Sequence, residues 1–147
     1  MKSGIPIWVT ERVRMMQKRM KKLAGMAAAA DPPGWEGPAD ADLTFVAWGS
    51  TIGAIRDAMV VLNAQGRTTN LLHFPTVYPL DADRVRAEFA KTKRTLLVEA
   101  NYSGQFGHLL RAETGIHLSD RLLKYDGEPF YPHEVVARAL EVIPHGR

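Results

Sequence analysis

Short apolar runs, each separated from the next by an amphipathic stretch, constrain the fold of this chain more than any other feature. The runs cover residues 43–48, 69–74, 95–100 and 121–125. Each contains adjacent apolar residues and apolar residues predominate among them, which is typical of strands that are covered on both faces. This alternation of strand and helix predicts an α/β fold, a three-layer α/β/α sandwich around a mostly parallel sheet.

The stretches between the runs carry signals for the beginning and end of helices. Residues 49–53 (GSTIG) turn the first strand into a helix, and Gly66 is expected to end that helix. Asp81 is expected to cap the next helix, and residues 101–107 (NYSGQFG) form the turn before a third. Pro132, whose fixed φ suits a first helical turn, opens the last helix.

Residues 1–39 precede this pattern and are predicted to form a basic helix followed by a Pro/Gly-rich joint. The helix is expected over residues 10–26, with Thr10 as its cap. Its apolar residues recur at spacings of three and four on one narrow face: Val13, Met16, Met20 and Leu23. Trp35, in the joint, is expected to cover an edge of the sheet. We assign residues 40–147 to the α/β domain.

The net charge of +3 combines two parts of opposite sign. Residues 1–30 contain seven basic residues and one acidic residue, which gives +6. Residues 31–147 contain twelve basic and fifteen acidic residues, which gives −3. A basic stripe can bind nucleic acid or a membrane surface. Solvated helix faces are a much commoner origin of such a stripe, so we expect neither nucleic acid nor membrane as a partner.

Composition excludes several classes of protein. A chain of 147 residues suits one compact core, and 46% apolar residues is too many for a disordered chain. No apolar run reaches the roughly 18 residues of a membrane span, and the first residues lack the pattern of a secretory signal. The absence of cysteine excludes disulfides and cysteine-ligated metal sites. It fits a reducing compartment, and a cytoplasmic location is expected.

The turns that follow the strands form the candidate site, because ligands of parallel sheets bind at the carboxyl ends of the strands. These turns are residues 49–53, 73–78, 99–105 and 125–127. The first turn contains Gly49, Ser50, Thr51 and Gly53, and it could hold a phosphate. It lacks the glycine pattern of a dinucleotide or P-loop site, and a tight strand–helix turn also explains its glycines.

Glu99 is the most informative single acid, since it ends an apolar strand. Such a carboxylate must pair with another group, stay hydrated or have a raised pKa. A helix N-terminus or an arginine is its simplest partner. One acid does not make an acid/base pair. The five histidines share no ligand spacing, so we predict no metal site and no catalytic residue on this chain.

Three segments, taken in order, resemble a known family. They are residues 46–56 (VAWGSTIGAIR), 98–105 (VEANYSGQ) and 123–132 (LKYDGEPFYP). They are similar to the C-terminal domain of the alpha subunit of 2-oxoacid:ferredoxin oxidoreductases, especially the 2-oxoglutarate type, over about residues 40–143. The leading basic helix resembles the connector that precedes this domain. The resemblance implies a transketolase C-terminal-like fold.

The resemblance also implies where the chemistry of the parent enzyme takes place. Thiamine diphosphate, Mg and iron–sulfur clusters would be held by the upstream domains of the alpha subunit and by the beta subunit. Ferredoxin would accept electrons from an enzyme that converts a 2-oxoacid and CoA to acyl-CoA. In this chain Tyr131 stands where the family usually has a Ser or Thr helix cap.

These observations lead to one principal hypothesis: the chain is a non-catalytic domain that supports subunit assembly and is inactive alone. The expected contact with other subunits is the turn formed by Asn101, Tyr102, Ser103, Gly104 and Gln105. A homodimer is also compatible with the sequence.

Two alternatives remain open at this point. One is a self-sufficient small-molecule-binding or hydrolytic domain that uses the 49–53 turn and Glu99. The other is a nucleic-acid module that uses the leading helix.

Overall fold

A computed structural model describes residues 7–143 and shows five α-helices and a five-stranded sheet in this part of the chain. In chain order the elements are α1 (Ile7–Ala29), β1 (Gly34–Glu36), β2 (Leu43–Trp48), α2 (Ile52–Ala64), β3 (Thr69–Phe74), α3 (Ala82–Phe89), β4 (Thr95–Glu99), α4 (Gln105–Thr114), β5 (Arg121–Leu123) and α5 (Pro132–Val142). A short 3₁₀ helix, Gly49–Thr51, joins β2 to α2. None of the described helices is long and apolar enough to cross a membrane.

The sheet has the strand order β1-β3-β2-β4-β5. The four strands that the sequence predicts are all present and pair in parallel, although β5 ends at Leu123 rather than at residue 125. At the centre, Phe45 of β2 lies opposite Leu71 of β3 and Leu96 of β4. The predicted mostly parallel α/β fold is confirmed.

Helices cover both faces of the sheet and create two separate cores. On one face, Phe45 and Leu96 pack with residues of α2 and α5, among them Ile55 and Val135. On the other, the core includes side chains of β2, β3, β4, α3 and α4: Val46, Leu72, Phe74, Val85, Leu97 and Phe106. Because successive strand residues point to opposite faces, apolar strands need both layers to be covered.

The fifth strand, β1, lies within the segment that the sequence analysis assigns to the joint. It pairs antiparallel with β3, and Trp35 lies opposite Leu72. The indole of Trp35 packs against the core beside α3, and its Nε1–H donates to Glu88 Oε2 at 2.6 Å. Trp35 thus covers the sheet edge, as expected, but as part of a strand. Three residues between prolines and a glycine are too few for a periodic strand signal.

Helix α1 is longer than the predicted 10–26 segment, since it begins at Ile7 and ends at Ala29. Thr10 therefore lies inside the helix, and its predicted role as the cap is wrong. The alanine run at its C-terminal end continues the helix because alanine has the highest helix propensity. None of the residues of α1 is buried.

Most helix ends agree with the sequence. Gly66 and Gly115 follow α2 and α4 with φ of +76° and +78°, the left-handed conformation that ends helices. Asp81 caps α3, where its Oδ1 accepts from the Arg84 N–H at 3.1 Å. One boundary differs: α4 begins at Gln105, so Phe106 and Gly107 belong to the helix and not to the preceding turn.

Candidate functional site at the carboxyl end of the sheet

The parallel strands bring the predicted turns to one end of the sheet. The chain leaves β2 at Trp48, β3 at Phe74, β4 at Glu99 and β5 at Leu123, all at the same edge. Strands β2 and β4 are neighbours although β3 lies between them in the sequence. This reversal of strand order is where open α/β sheets form a ligand crevice. The turns after β2 and β4 flank this point.

Glu99 lies at this point and is completely buried. Its Oε1 accepts from the Phe106 backbone N–H at 2.8 Å, and its Oε2 accepts from the Gly107 N–H at 3.4 Å. The side-chain amide of Asn101 also donates to Oε1. The carboxylate thus accepts hydrogen bonds from two backbone amides in the first turn of α4, where the helix dipole favours negative charge. The sequence analysis gives a helix N-terminus as one of the simplest partners of Glu99, and this is the partner in the structure. The hydrogen bonds engage both carboxylate oxygens.

Asn101 holds the turn that follows Glu99. Its Oδ1 accepts from the backbone N–H groups of Gly104 and Gln105 at 2.7 and 3.1 Å. Gly104 is buried and has φ +67°, a conformation that suits glycine. A Cβ on Gly104 would also lie 3.5 Å from the Leu123 side chain of β5. Asn101 and Gly104 therefore shape the turn from within.

The other three residues of the predicted contact, Tyr102, Ser103 and Gln105, face solvent. The Tyr102 side chain is 73% exposed and meets Tyr125 edge to face, with ring centroids 4.7 Å apart. Tyr125, which follows β5, is itself 65% exposed. Two tyrosines that contact each other yet remain open to water form an amphipathic patch. Tyr125 is absent from the predicted contact set of residues 101–105, although it lies in the candidate turn 125–127.

The segment beyond Tyr125 is fixed by a charged contact. Lys124 is mostly buried, its Nζ lies 2.7 and 2.9 Å from the two carboxylate oxygens of Glu134, and it sits 5.0 Å from the ring centroid of Tyr131. The hydrogen bond from Lys124, assisted by the Tyr131 N–H, holds the pKa of Glu134 below its ordinary value. The same hydrogen bond raises the pKa of Lys124.

The Lys124 contact also explains how α5 begins without a Ser or Thr cap. The Tyr131 N–H donates to Glu134 Oε2 at 2.8 Å, and the Glu134 N–H donates to the Tyr131 carbonyl at 3.0 Å. Glu134 thus replaces the usual side-chain cap at the start of this helix.

The turn after β2 has no comparable set of polar contacts to a ligand position. The Thr51 hydroxyl is buried and donates to the Trp48 carbonyl at 3.0 Å. His73 Nε2 lies 3.3 Å from the Gly49 carbonyl oxygen. Ser50 and Gly53 are exposed. The first three residues of the turn, Gly49–Thr51, form the short 3₁₀ helix that joins β2 to α2.

The residues present do not fit the cofactors of the parent family. The sequence contains no cysteine, so no thiolate can hold an iron–sulfur cluster. Among residues 7–143, no group of three His, Asp or Glu side chains is arranged to hold a metal ion. We therefore derive no chemical step through thiamine diphosphate, Mg or a cluster on this chain.

The solved structures that resemble this chain include 2-oxoacid:ferredoxin oxidoreductases. The chain superposes on 2-oxoglutarate:ferredoxin oxidoreductase from Magnetococcus marinus, solved with 2-oxoglutarate, coenzyme A and succinyl-CoA, with a TM-score of 0.81 and 31% identity. That match covers 92% of this chain and 24% of the other. The alpha chain of a probable 2-oxoacid ferredoxin oxidoreductase from Thermoplasma acidophilum matches at 31% identity and a TM-score of 0.55, covering 78% of this chain and 98% of that one.

Comparison of sequences gives the same relationship. The alpha subunit of 2-oxoacid:ferredoxin oxidoreductase 1 from Aeropyrum pernix is 32% identical over 142 residues, which is 92% of this chain and 22% of the relative. The chain thus spans about a fifth of the length of this relative. Residues 37–124 match the family described as transketolase, C-terminal domain. The chain therefore belongs to the transketolase C-terminal domain family, in the form found in 2-oxoacid:ferredoxin oxidoreductase alpha subunits.

Proposed function

We propose that this chain is the non-catalytic C-terminal domain of a thiamine-diphosphate-dependent 2-oxoacid:ferredoxin oxidoreductase alpha subunit of the 2-oxoglutarate type. The parent enzyme would convert a 2-oxoacid and CoA to acyl-CoA and pass electrons to ferredoxin. Its thiamine diphosphate, Mg and iron–sulfur clusters would be held by the upstream domains of the alpha subunit and by the beta subunit. The domain supports the assembly of these parts.

The observation that carries this proposal is the rigid turn after β4, which presents exposed groups from a fixed backbone. Asn101 and Gly104 fix the backbone, whereas Tyr102 and Gln105 face solvent. Tyrosine supplies a large contact area at little cost in side-chain entropy, and glutamine both donates and accepts hydrogen bonds. Such a surface is suited to rigid recognition of another chain.

The same geometry argues against a self-sufficient enzyme that uses Glu99. A general base must reach a substrate proton, and Glu99 is fully buried with both oxygens engaged by α4 and Asn101. In the neighbouring turn, His73 Nε2 lies 3.3 Å from the Gly49 carbonyl oxygen, and no hydrogen bond joins this imidazole to Ser50. A role in subunit assembly therefore agrees better with the positions of these side chains than a hydrolytic role does.

The test replaces Tyr102 and Gln105 with Ala in the complete enzyme, reconstituted from its alpha-subunit parts and beta subunit. Loss of the tyrosine contact should weaken subunit association by at least about tenfold, as for central aromatic residues of other interfaces. Sedimentation velocity and ferredoxin-reduction assays measure association and turnover. The matched control is Tyr78→Ala, which removes another half-exposed tyrosine at the same sheet end.

Circular dichroism of the variants establishes that the domain is folded. Weakened association and turnover in Tyr102→Ala/Gln105→Ala, with normal Tyr78→Ala, would support the proposal. Normal assembly and full turnover in the double variant would show that the turn is only a strand–helix junction.

A further inference from the structure

Strand β1 covers the outer edge of β3. In the described sheet β1 is a terminal strand, and it pairs antiparallel with residues 71–73, in the middle of β3. Without β1, β3 would be the outermost of the four parallel strands. An outermost strand presents unpaired backbone N–H and C=O groups, which can pair with a strand of another molecule. The three residues of β1 therefore close an edge that would otherwise be open.

The sequence of β3 has none of the features that discourage such pairing. Residues Thr69–Phe74 (TNLLHF) include no proline, no glycine and no lysine, arginine or carboxylate. Proteins protect an edge strand with charges or prolines, or by making it short. Strand β1 has all three features: it is three residues long, it contains Glu36, and Pro33 and Pro38 lie close to its two ends. It thus replaces an edge that suits pairing with one that does not.

Contacts with both helix layers hold β1 in place. On the side of α3, the Nε1–H of Trp35 donates to Glu88 Oε2 at 2.6 Å. On the side of α2, the guanidinium of Arg56 donates to both carboxylate oxygens of Glu36, at 2.6 and 2.7 Å. Successive residues of one short strand are therefore attached to opposite layers of the domain, which is what the alternation of side chains along a strand permits.

These contacts differ in what they contribute. The ion pair of Arg56 is exposed, and such a pair stabilises little by itself. The indole of Trp35 packs on the core and supplies a large apolar area. A third contact holds the chain beyond the strand, where Asn70 Nδ2–H donates to the Pro38 carbonyl at 2.9 Å. We therefore expect Trp35 to be the main residue that keeps β1 on the edge of β3.

We propose that β1 is an autoinhibitory strand that stops β3 from pairing with β3 of a second copy of this chain. The pairing with β1 shows that the outer edge of β3 accepts an antiparallel strand. A second β3, related by a two-fold axis near Leu72, runs antiparallel to the first and presents the same open groups. Since β3 carries no formally charged side chain other than His73 when protonated, the two edges do not repel each other near neutral pH. The contact is isologous and closes after two copies.

The test releases β1 by Trp35→Ala/Arg56→Ala in the full 147-residue chain, which removes one anchor in each layer. Amides of residues 34–36 should exchange with deuterium at least about tenfold faster, because truncating a tryptophan that packs on a core removes a large apolar contact. Sedimentation velocity should then show dimers. Trp48→Ala/Arg14→Ala, which removes another partly exposed tryptophan and another paired arginine, is the matched control and should behave as the parent.

Hydrogen exchange also locates the contact. In the released variant, amides of residues 69–74 should exchange at least about tenfold more slowly at concentrations at which the dimer forms than in the dilute monomer. Exchange in β5, at the other end of the sheet, should not depend on concentration. Adding His73→Lys to the released variant brings a positive charge from each copy to the paired strands, and it should restore the monomer.

A milder variant keeps the test decisive if the alanine variant is unfolded by circular dichroism. Trp35→Phe/Arg56→Gln retains an aromatic ring on the core and removes the indole N–H and the guanidinium. It should accelerate exchange at residues 34–36 in the same direction by a smaller factor. Its dimers, like those of the alanine variant, should protect residues 69–74.

Several outcomes would overturn the proposal. A folded variant with released β1 that stays monomeric at every concentration shows that the β3 edge does not pair with itself. Dimers that leave residues 69–74 unprotected, or that persist with His73→Lys, use another surface. Unchanged exchange at residues 34–36 shows that these contacts do not hold β1. Dimers abolished by Tyr102→Ala would place the contact at the β4 turn, which separates this inference from the proposed function.

Discussion

Gly107 shows how a missing side chain sets the distance between a helix and the sheet. It is buried in the first turn of α4, directly above β4. A Cβ at this position would lie 2.7 Å from Cδ2 of Leu97, a completely buried side chain. Since the methyl group of Leu97 is enclosed by other core residues, it has little space to move. Glycine here permits close packing, and the same packing lets the Gly107 N–H reach Glu99.

We expect Gly107→Ala to lower the free energy of unfolding by about 1–3 kcal/mol, the typical cost of overpacking a core. The matched control is Gly53→Ala in α2, where no atom lies within 4 Å of the added Cβ and φ is not positive. That variant should gain up to about 1 kcal/mol from helix propensity. Urea denaturation of both variants measures the difference, and equal stabilities would contradict the packing argument.

The contact between Lys124 and Glu134 predicts a dependence of stability on pH. The pKa of Glu134 is lower in the folded protein than its ordinary value, mainly because of the hydrogen bond from Lys124. Its contribution is therefore complete above the unfolded pKa of about 4.3 and is lost as the pH falls through the folded pKa. Acidification below about pH 5 should thus weaken the segment that joins β5 to α5.

The measurement is urea denaturation at pH 6.5 and at pH 3.5 for the parent chain and for Glu134→Gln. The variant should be less stable at pH 6.5 and should lose less stability on acidification than the parent. Glu113→Gln, which changes an exposed acid without a described ion pair, is the control. If Glu134→Gln and Glu113→Gln show the same pH dependence as the parent, the contact has no such role.

At the scale of elements, α1 differs from the other four helices in having no buried residue. Its amides exchange after local opening, which costs little free energy where no packing contact must be broken. Helices α2 and α5 lie in a shared core with buried side chains such as Ile55 and Val135. We therefore expect α1 to be less stable than α2 and α5.

We expect the amides of α1 to exchange with deuterium faster than those of α2 and α5 in a dilute monomeric sample. Mass spectrometry of peptides from each helix measures the rates. Protection of α1 equal to that of the sheet in a proven monomer would refute this expectation.

At the scale of the whole molecule, the carboxyl end of the sheet combines exposed aromatic side chains with turns that polar contacts hold in place. The carboxyl end carries the exposed tyrosines, and the turns there are fixed by Glu99, Asn101 and the contact between Lys124 and Glu134. The polar groups that could do chemistry are used to hold the backbone. Tyr102 and Tyr125 stay exposed there, while Glu99 and Asn101 hold the turn after β4.

This distribution predicts that the isolated chain neither binds thiamine diphosphate nor reduces ferredoxin. The reason is that no thiolate is present in the sequence and that Glu99, the acid that ends β4, is engaged by backbone amides. Isothermal titration with thiamine diphosphate and Mg²⁺, with the reconstituted enzyme as positive control, measures binding. A micromolar site on the isolated chain would contradict the prediction.

Much of the fold can be read from the sequence because its signals are local. The apolar run of β3 gives its bounds, Thr69–Phe74, and the glycines at 66 and 115 mark helix ends through their own backbone conformation. Asp81 reaches the Arg84 amide within one turn of helix. In each case the physical cause lies within a few residues, so no knowledge of the distant chain is needed.

Other features of the fold and the site depend on the tertiary structure alone, because the residues that contact each other there are far apart in the sequence. Trp35 becomes part of a strand only when Leu72 lies opposite it. Tyr125 joins Tyr102 at the sheet end because β4 and β5 are neighbours. From the sequence, Glu99 could be either a reactive acid or a residue that fixes the backbone by hydrogen bonds. The position of α4 gives Glu99 the second role. The amides that solvate this buried carboxylate come from a helix whose placement depends on the packing of the whole domain.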